Sequence, residues 1–387
     1  MFITLRGSRR AYNNSTRKSN PFSINALSFF TQQELGNYPH GDTISNYLKN
    51  VTESDISDLT QKMTNRLIRM KALDKYRLNG YLLVAVDGTH QVTFKERHCK
   101  HCLTQNKNGI ITYYHSLLEL KIVTETGLVL SLCTEFIENE SENVSKQDCE
   151  LNAFYRVSSR LKEIFPKLKI CLLMDSLYMS QQLFSICKDY NWKYIINFKR
   201  GSMPSKFAEF EELKILEPEN KHFRRKGNIS QTFHFVNKIE HESHYFDVVE
   251  CEEKKKTSNG EIKRKYFVWA TNFNITKENV ANIGNKGGRL RWKIENEGFN
   301  FQKNSGFNLE HLYSKTLDTE KIYYLLMQVA HTIFQLMTFG NLVGNLIEVY
   351  GSIKHFAECL RDDFRHCSKV DLAFSITIKV QIRLDSS

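Results

Sequence analysis

Tyr81-Leu82-Leu83-Val84-Ala85-Val86-Asp87-Gly88 is an unbroken apolar run closed by a carboxylate and a glycine. A run this short and this apolar reads as a strand buried on both faces. A carboxylate at its C-terminal end lies at a sheet edge, where ligands bind in open α/β folds. The pattern repeats at Cys171-Leu172-Leu173-Met174-Asp175. A third carboxylate, Glu295, lies in Arg289-Leu290-Arg291-Trp292-Lys293-Ile294-Glu295-Asn296-Glu297, which reads as helix.

Outward from the first run, apolar alternation predicts strands at about 81–86, 115–124 and 128–136. Glu125-Thr126-Gly127 is a turn signal between the last two. Leu151, Phe154, Val157 and Leu161 recur at helical spacing and predict a helix over about 146–163. A strand to Met174, a helix near 179–190 and a strand at 193–198 follow. This order of elements resembles that of a ribonuclease-H-like fold. Such folds place the first carboxylate on the first strand and the second beside it on the fourth. Asp87 and Asp175 take those places. The expected architecture is α/β: an RNase-H-like catalytic core with a mostly β insertion, flanked by helical N- and C-terminal regions.

The insertion is expected at 201–272, with strand-like segments at 231–237, 245–251 and 265–271. A charged hairpin tip at 252–263, turning at Asn259-Gly260, joins the last two. Helices are expected near 276–283, around Glu295, and at about 319–348 and 352–361. Upstream, residues 1 to about 40 are polar and irregular, and Asp42 reads as the N-cap of a helix through Tyr47. Thr52-Glu53-Ser54-Asp55 resembles a capping start for the next helix. In that helix Leu59, Met63, Leu67 and Met70 form an apolar stripe, and Lys62, Arg66 and Arg69 a basic one. The basic stripe reads either as a solvated face or as a DNA contact. The expected division is 1–78 as basic arm and helical DNA-contacting region, and 79–200 as the first part of the core. After the insertion, 273–350 carries the catalytic helix and completes the core, and 351–387 is a helical tail.

Composition bounds the partners. The chain has 387 residues, is 41% hydrophobic, and carries a net charge of +11 with a pI of about 9.0. That excess of positive charge concentrates polyanions and favours a nucleic-acid partner. The first acidic residue, Glu34, follows Arg6, Arg9, Arg10, Arg17 and Lys18, which suits either an arm lying on phosphates or a transit peptide. Nine scattered cysteines do not resemble a secreted disulfide framework, so a reducing compartment, the cytoplasm, is expected. The longest uncharged run, 323–347, contains Gln328, His331 and Gln335 on one helical stripe and reads as a buried amphipathic helix, not a membrane span.

Cutting a phosphodiester needs an activated water and a stabilised leaving oxygen, which two divalent ions about 4 Å apart supply. Mg²⁺ takes hard oxygen ligands and keeps several waters, so few carboxylates suffice. Asp87 is placed to bridge both ions, with Asp175 on one and Glu295 on the other; Mn²⁺ is an expected substitute. Arg291 lies four residues before Glu295 on the same helical face, and Lys303 eight residues after it. Arg289, Arg291, Lys293 and Lys303 make this segment strongly basic and fit phosphate contacts beside the scissile bond.

Arg291-Trp292-Lys293-Ile294-Glu295, followed by Asn296-Glu297-Gly298-Phe299-Asn300-Phe301-Gln302-Lys303, resembles the signature helix of IS4-type DDE transposases. That signature runs Tyr, two residues, Arg, three residues, Glu, six residues, Lys. Arg291 and Glu295 match it; the Tyr position is Gly288, and the Lys position is Gln302 with Lys303 one residue late. Asp87 in Val86-Asp87-Gly88-Thr89 and Asp175 in Leu173-Met174-Asp175-Ser176-Leu177-Tyr178 look like the family's aspartate motifs. The resemblance covers about 80–345. It implies cut-and-paste DNA transposition, acting on terminal inverted repeats and target DNA, usually as a homodimer on paired ends. In the cell this implies nucleoid-associated protein and no membrane partner. The other readings are a catalytically inactive DNA-binding relative and an RNase-H-like nuclease that cuts without joining.

His98-Cys99-Lys100-His101-Cys102, with His115 beyond, carries half of a zinc knuckle. Cys99, Cys102 and His115 are candidate ligands for a structural Zn²⁺; ordinary loop thiols are the alternative. There is no Gly-rich phosphate loop with a following Lys-Ser or Lys-Thr, so ATP-driven chemistry is not indicated.

Overall fold

The computed structural model describes residues 8–16, 39–340 and 349–366, with Phe2 and Gln33 as single positions. Among these, ten strands form one mixed sheet with helices on both faces. In chain order they are β1 Leu82–Phe94, β2 Leu103–Lys107, β3 Ile110–Val123, β4 Val129–Ile137, β5 Ile170–Met174, β6 Lys193–Asn197, β7 Lys221–Lys226, β8 Ile229–His241, β9 His244–Lys256 and β10 Ile262–Thr271. The sheet order is β2-β3-β1-β5-β6-β10-β9-β8-β7, and β4 pairs with β3 off this path. β5 runs parallel to both β1 and β6, while the other pairs are antiparallel.

The helices are α1 Arg9–Thr16, α2 Gly41–Leu48, α3 Glu53–Arg69, α4 Glu150–Ile164, α5 Gln181–Tyr190, α6 Pro204–Leu216, α7 Leu317–Phe339 and α8 Ile353–His366. An irregular helical segment spans 280–304. α3 starts on a reciprocal capping box between Thr52 and Asp55, as its sequence predicts. α5 starts where Ser180 Oγ accepts the Leu183 N–H, and it stops at Asn191 in the left-handed conformation (φ 56°).

Strand parity sorts the core. Leu82, Val84 and Val86 of β1, with Ile170, Leu172 and Met174 of β5, pack on the face covered by α4, α5 and α6. Leu83 and Ala85, with Cys171 and Leu173, pack on the opposite face, under segment 280–304, α7 and α8. Burial on both faces is why these strands read as continuous apolar runs. Asp87 and Asp175 continue the second parity, so both belong to the face that segment 280–304 covers.

Several expectations need correction. β1 does not end at Val86; it runs seven residues past Asp87 to Phe94, paired with β3 throughout except for a bulge between His90 and Val92. α1, β2, α6 and β7 lie in stretches read as irregular or left without an element. The mostly β region after residue 200 continues the core sheet. β10 pairs with β6 at Trp269–Asn197, Ala270–Ile196 and Thr271–Ile195, which joins β7–β10 to the same sheet. Asp42 does not cap α2: His40 Nδ1 accepts the Asp42 N–H, and the Asp42 carboxylate pairs with Arg9 at 3.0 Å. The buried face of α3 is Thr60, Thr64 and Leu67, whereas Leu59 is 43% exposed. The C-terminal helices α7 and α8 are present, while the predicted helical residues 341–348 and most of the tail after 366 lie outside the described residues, as does most of the basic arm.

Among the described residues α7 is the one helix long and apolar enough to cross a membrane, and 72% of its apolar window is buried inside the protein. Its polar stripe faces inward. Gln328 accepts from Lys121 Nζ at 2.5 Å, and Gln335 Oε1 accepts the Val129 N–H at 3.1 Å. α7 is therefore held against β3 and β4 by hydrogen bonds as well as apolar contact.

Candidate functional site

Asp87 stands in the middle of β1 opposite Glu119 of β3. β5 lies on the other side of β1, with Ala85 in register with Leu173. Pairing between β1 and β5 ends there, and Asp175 follows two residues later, just beyond the end of β5. Asp175 begins the turn after β5, and its Oδ1 accepts the Leu177 N–H at 2.8 Å.

Segment 280–304 closes over this face. Gly287 and Gly288 let its backbone come down onto the sheet: a Cβ at Gly287 would lie 2.4 Å from Ile195, and one at Gly288 2.4 Å from the Trp269 indole. A side chain at Gly288 would displace the buried Trp269 indole. Ile294–Asn300 is then wound as a π-helix, a form that recurs at functional sites.

Arg291 ties the pieces together. It is 5% exposed, its Nη2 donates to Glu295 Oε1 at 2.9 Å, and its Nη1 reaches Asp87 Oδ2 at 3.5 Å. Glu297 turns instead to Lys293 at 2.5 Å. Burial pushes the Asp87 carboxyl up to about 7; Arg291 opposes the shift, while Glu295 and Glu150 add to it.

Glu150 is a member of this cluster that sequence reasoning missed. It is the first residue of α4, and its Oε2 lies 3.5 Å from the Tyr178 hydroxyl. Burial raises its carboxyl, and the charge on Asp175 raises it further. Gly88 makes room for it: a Cβ there would lie 2.3 Å from Glu150 Oε1. Gly88→Ala is accordingly expected to cost ~1–3 kcal/mol by overpacking. Adding Glu150→Ala should restore most of that loss, as read from urea unfolding midpoints of both variants. Equal stability of wild type and Gly88→Ala would show that Glu150 does not fill this space.

The remaining predicted phosphate contacts point elsewhere. Arg289 donates to Glu253 at 2.6 Å and lies over the Phe267 ring, Lys293 pairs with Glu297, and Lys303 pairs with Glu310 at 2.8 Å. Gln302, at the signature's lysine position, is fully buried and donates to Gln328 at 2.9 Å. Lys62, Arg66 and Arg69 are exposed on α3, as a basic stripe should be.

Asp87 and Glu295 share the Arg291 guanidinium, and Glu150 and Asp175 add negative charge nearby. A divalent cation suits these hard oxygen donors, because it would offset the burial that holds Asp87 toward its protonated form and the charges of Glu295 and Glu150 that add to it. Asp87 and Glu295 are the residues that would hold such a cation, with Glu150 and Asp175 nearby; among the described residues Asp87, Asp175 and Glu295 do not present ligand atoms within 4.8 Å of one another. The predicted zinc ligands come together: Cys99, Cys102 and His115 present ligand atoms within 4.8 Å of one another. No model of a known protein family matches the chain, and no curated protein matches it.

Proposed function

We propose that this protein is an IS4-type DDE transposase, built on an RNase-H-like core, that cuts DNA at the ends of a mobile element and joins them to target DNA. The observation that carries this reading is the buried Arg291 holding Asp87 and Glu295 together, beside β5, which ends one residue before Asp175. Bound Mg²⁺ would supply the activated water and the charge on the leaving oxygen. Arg291 orients Asp87 and Glu295 and offers positive charge to a phosphate at the same place.

A second feature supports a polyanionic substrate. β10 runs antiparallel to β6, so its N-terminal half projects past Asn197 on the edge where Asp175 lies. That projection carries Lys263, Arg264 and Lys265, its neighbour β9 carries Lys254, Lys255 and Lys256, and the edge strand β7, beyond β8, carries Arg224, Arg225 and Lys226. Lys265 is four residues beyond the Trp269–Asn197 pair, about 13–14 Å at strand rise. A duplex gripped by these strands would pass the carboxylates at close range.

The test is incubation of the full chain with Mg²⁺ and a labelled duplex bearing the element's terminal inverted repeats, plus a target plasmid. Cut and joined products are expected. Cutting without joining would make the protein a nuclease, and binding without either product a DNA-binding relative.

A further inference from the structure

The loop after β1 carries a group of side chains that the carboxylate chemistry does not use. Cys99 Sγ and Cys102 Sγ are 3.7 Å apart, and His115 Nε2 lies 3.2 Å from the first and 3.4 Å from the second. A disulfide would hold the sulfurs at about 2.05 Å, so this spacing is not one. A tetrahedral zinc site with Zn–S of about 2.3 Å and Zn–N of about 2.0–2.1 Å has S···S edges near ~3.8 Å and S···N edges near ~3.5 Å. The observed triangle is close to one face of that tetrahedron.

The surroundings agree. Cys102 and His115 are buried, and Cys99 is half-buried. His115 Nδ1 has no partner, so Nε2, aimed at the two sulfurs, makes the ring's polar contacts. The Cys99 N–H donates to Cys102 Sγ at 3.4 Å, which stabilises a thiolate. His98, next to Cys99, stacks on Phe94 with its ring centroid 6.0 Å from that of His115. Its Nε2 lies 3.0 Å from the Lys315 carbonyl. Donation there leaves the Nδ1 lone pair free, the tautomer that metal-bound histidines adopt when a carbonyl holds the other nitrogen.

We propose that Cys99, Cys102 and His115 bind a structural zinc ion, and that His98, whose ring nitrogens lie outside the 4.8 Å group of the other three, turns its Nδ1 inward as the fourth ligand. Two thiolates balance the charge of the ion, and the two thiol protons leave to solvent. The site joins three pieces of chain: the loop after β1, β3 at His115, and the turn before α7 through Lys315. His101 and Asn139 extend the clamp to the end of β4, with His101 Nδ1 2.7 Å from the Asn139 carbonyl. Zinc here fastens the outer edge of the sheet to the start of α7.

The full chain, purified under reducing conditions without chelator, is expected to contain one zinc ion per molecule by elemental analysis. After chelation, added Co²⁺ should give the d–d bands of a tetrahedral site and a sulfur-to-cobalt charge-transfer band. Cys99→Ser with Cys102→Ser should lose both signals, while His98→Ala should keep the charge-transfer band and weaken the d–d bands. Wild-type protein that stays metal-free at equimolar Zn²⁺, or that takes up Co²⁺ without sulfur charge transfer, would overturn the proposal. So would a Cys99–Cys102 disulfide in the freshly purified chain. None of these readouts depends on DNA cleavage.

Discussion

Asp87→Asn, Asp175→Asn and Glu295→Gln should each lower DNA cleavage by at least about a thousandfold, with duplex binding largely kept. Losing one carboxylate from a two-ion site removes several kcal/mol of transition-state stabilisation, and about 1.4 kcal/mol corresponds to a tenfold rate change. Stability should move the other way for Asp87. Its carboxyl titrates near 7 in the folded chain against 3.8 unfolded, so ionising it opposes the fold. That cost is absent below about pH 4, grows as pH rises through the folded value, and is fully present above it. Asp87→Asn removes the slope, so at pH 8 the variant should melt at or above the wild-type temperature. Cleavage at the wild-type rate by any of the three variants would remove that residue from its role. A lower melting temperature for Asp87→Asn at pH 8 would contradict the electrostatic account of the site. Sites of this kind trade stability for chemistry.

Lys121→Met should be among the most destabilising single changes in the chain. Lys121 and Glu119 are both fully buried on β3, with Nζ 3.3 Å from Oε2. Glu119 also accepts from Ser131 at 2.8 Å, Thr134 at 2.5 Å and Tyr324 at 2.9 Å. Lys121 donates to Gln328, which Gln302 of the segment carrying Glu295 also bonds. Burial lowers the lysine's pKa, and Glu119 opposes that shift. Removing the ammonium leaves a carboxylate buried without a counter-charge, which costs ~3–5 kcal/mol. Glu119→Gln in the same chain should recover most of the loss, because the uncompensated charge goes with it. Denaturant unfolding of the single and double variants checks both statements. A single variant within ~1 kcal/mol of wild type would mean that Glu119 is compensated from elsewhere.

The places of Asp87 on β1 and of Asp175 just past β5 were legible in the apolar runs that precede them. Two apolar runs buried on both faces, each followed by an aspartate, are readable as text. Where β1 ends was not readable. Gly88-Thr89-His90 looks like a terminator, yet pairing with β3 continues because Gly88 is needed for clearance at Glu150, not for a turn. Glu150 itself was hidden, since a glutamate at a helix start usually answers the helix dipole. β7, Lys221-His222-Phe223-Arg224-Arg225-Lys226, is too charged to read as a strand, and only its place at the outer edge of the sheet makes that sequence tolerable. Lys303 is engaged with Glu310, a partner that spacing along one helix does not reveal.

The antiparallel seam between β6 and β10 has an engineering consequence. Excising 201–272 would not trim an appendage. It would strip β6 of its outer partner and bare the apolar flank at Ile195 and Ile196, leaving a sticky margin prone to self-association. Any miniaturised version of this protein would have to retain β10, or supply a substitute strand, before its shortened sheet could remain monodisperse.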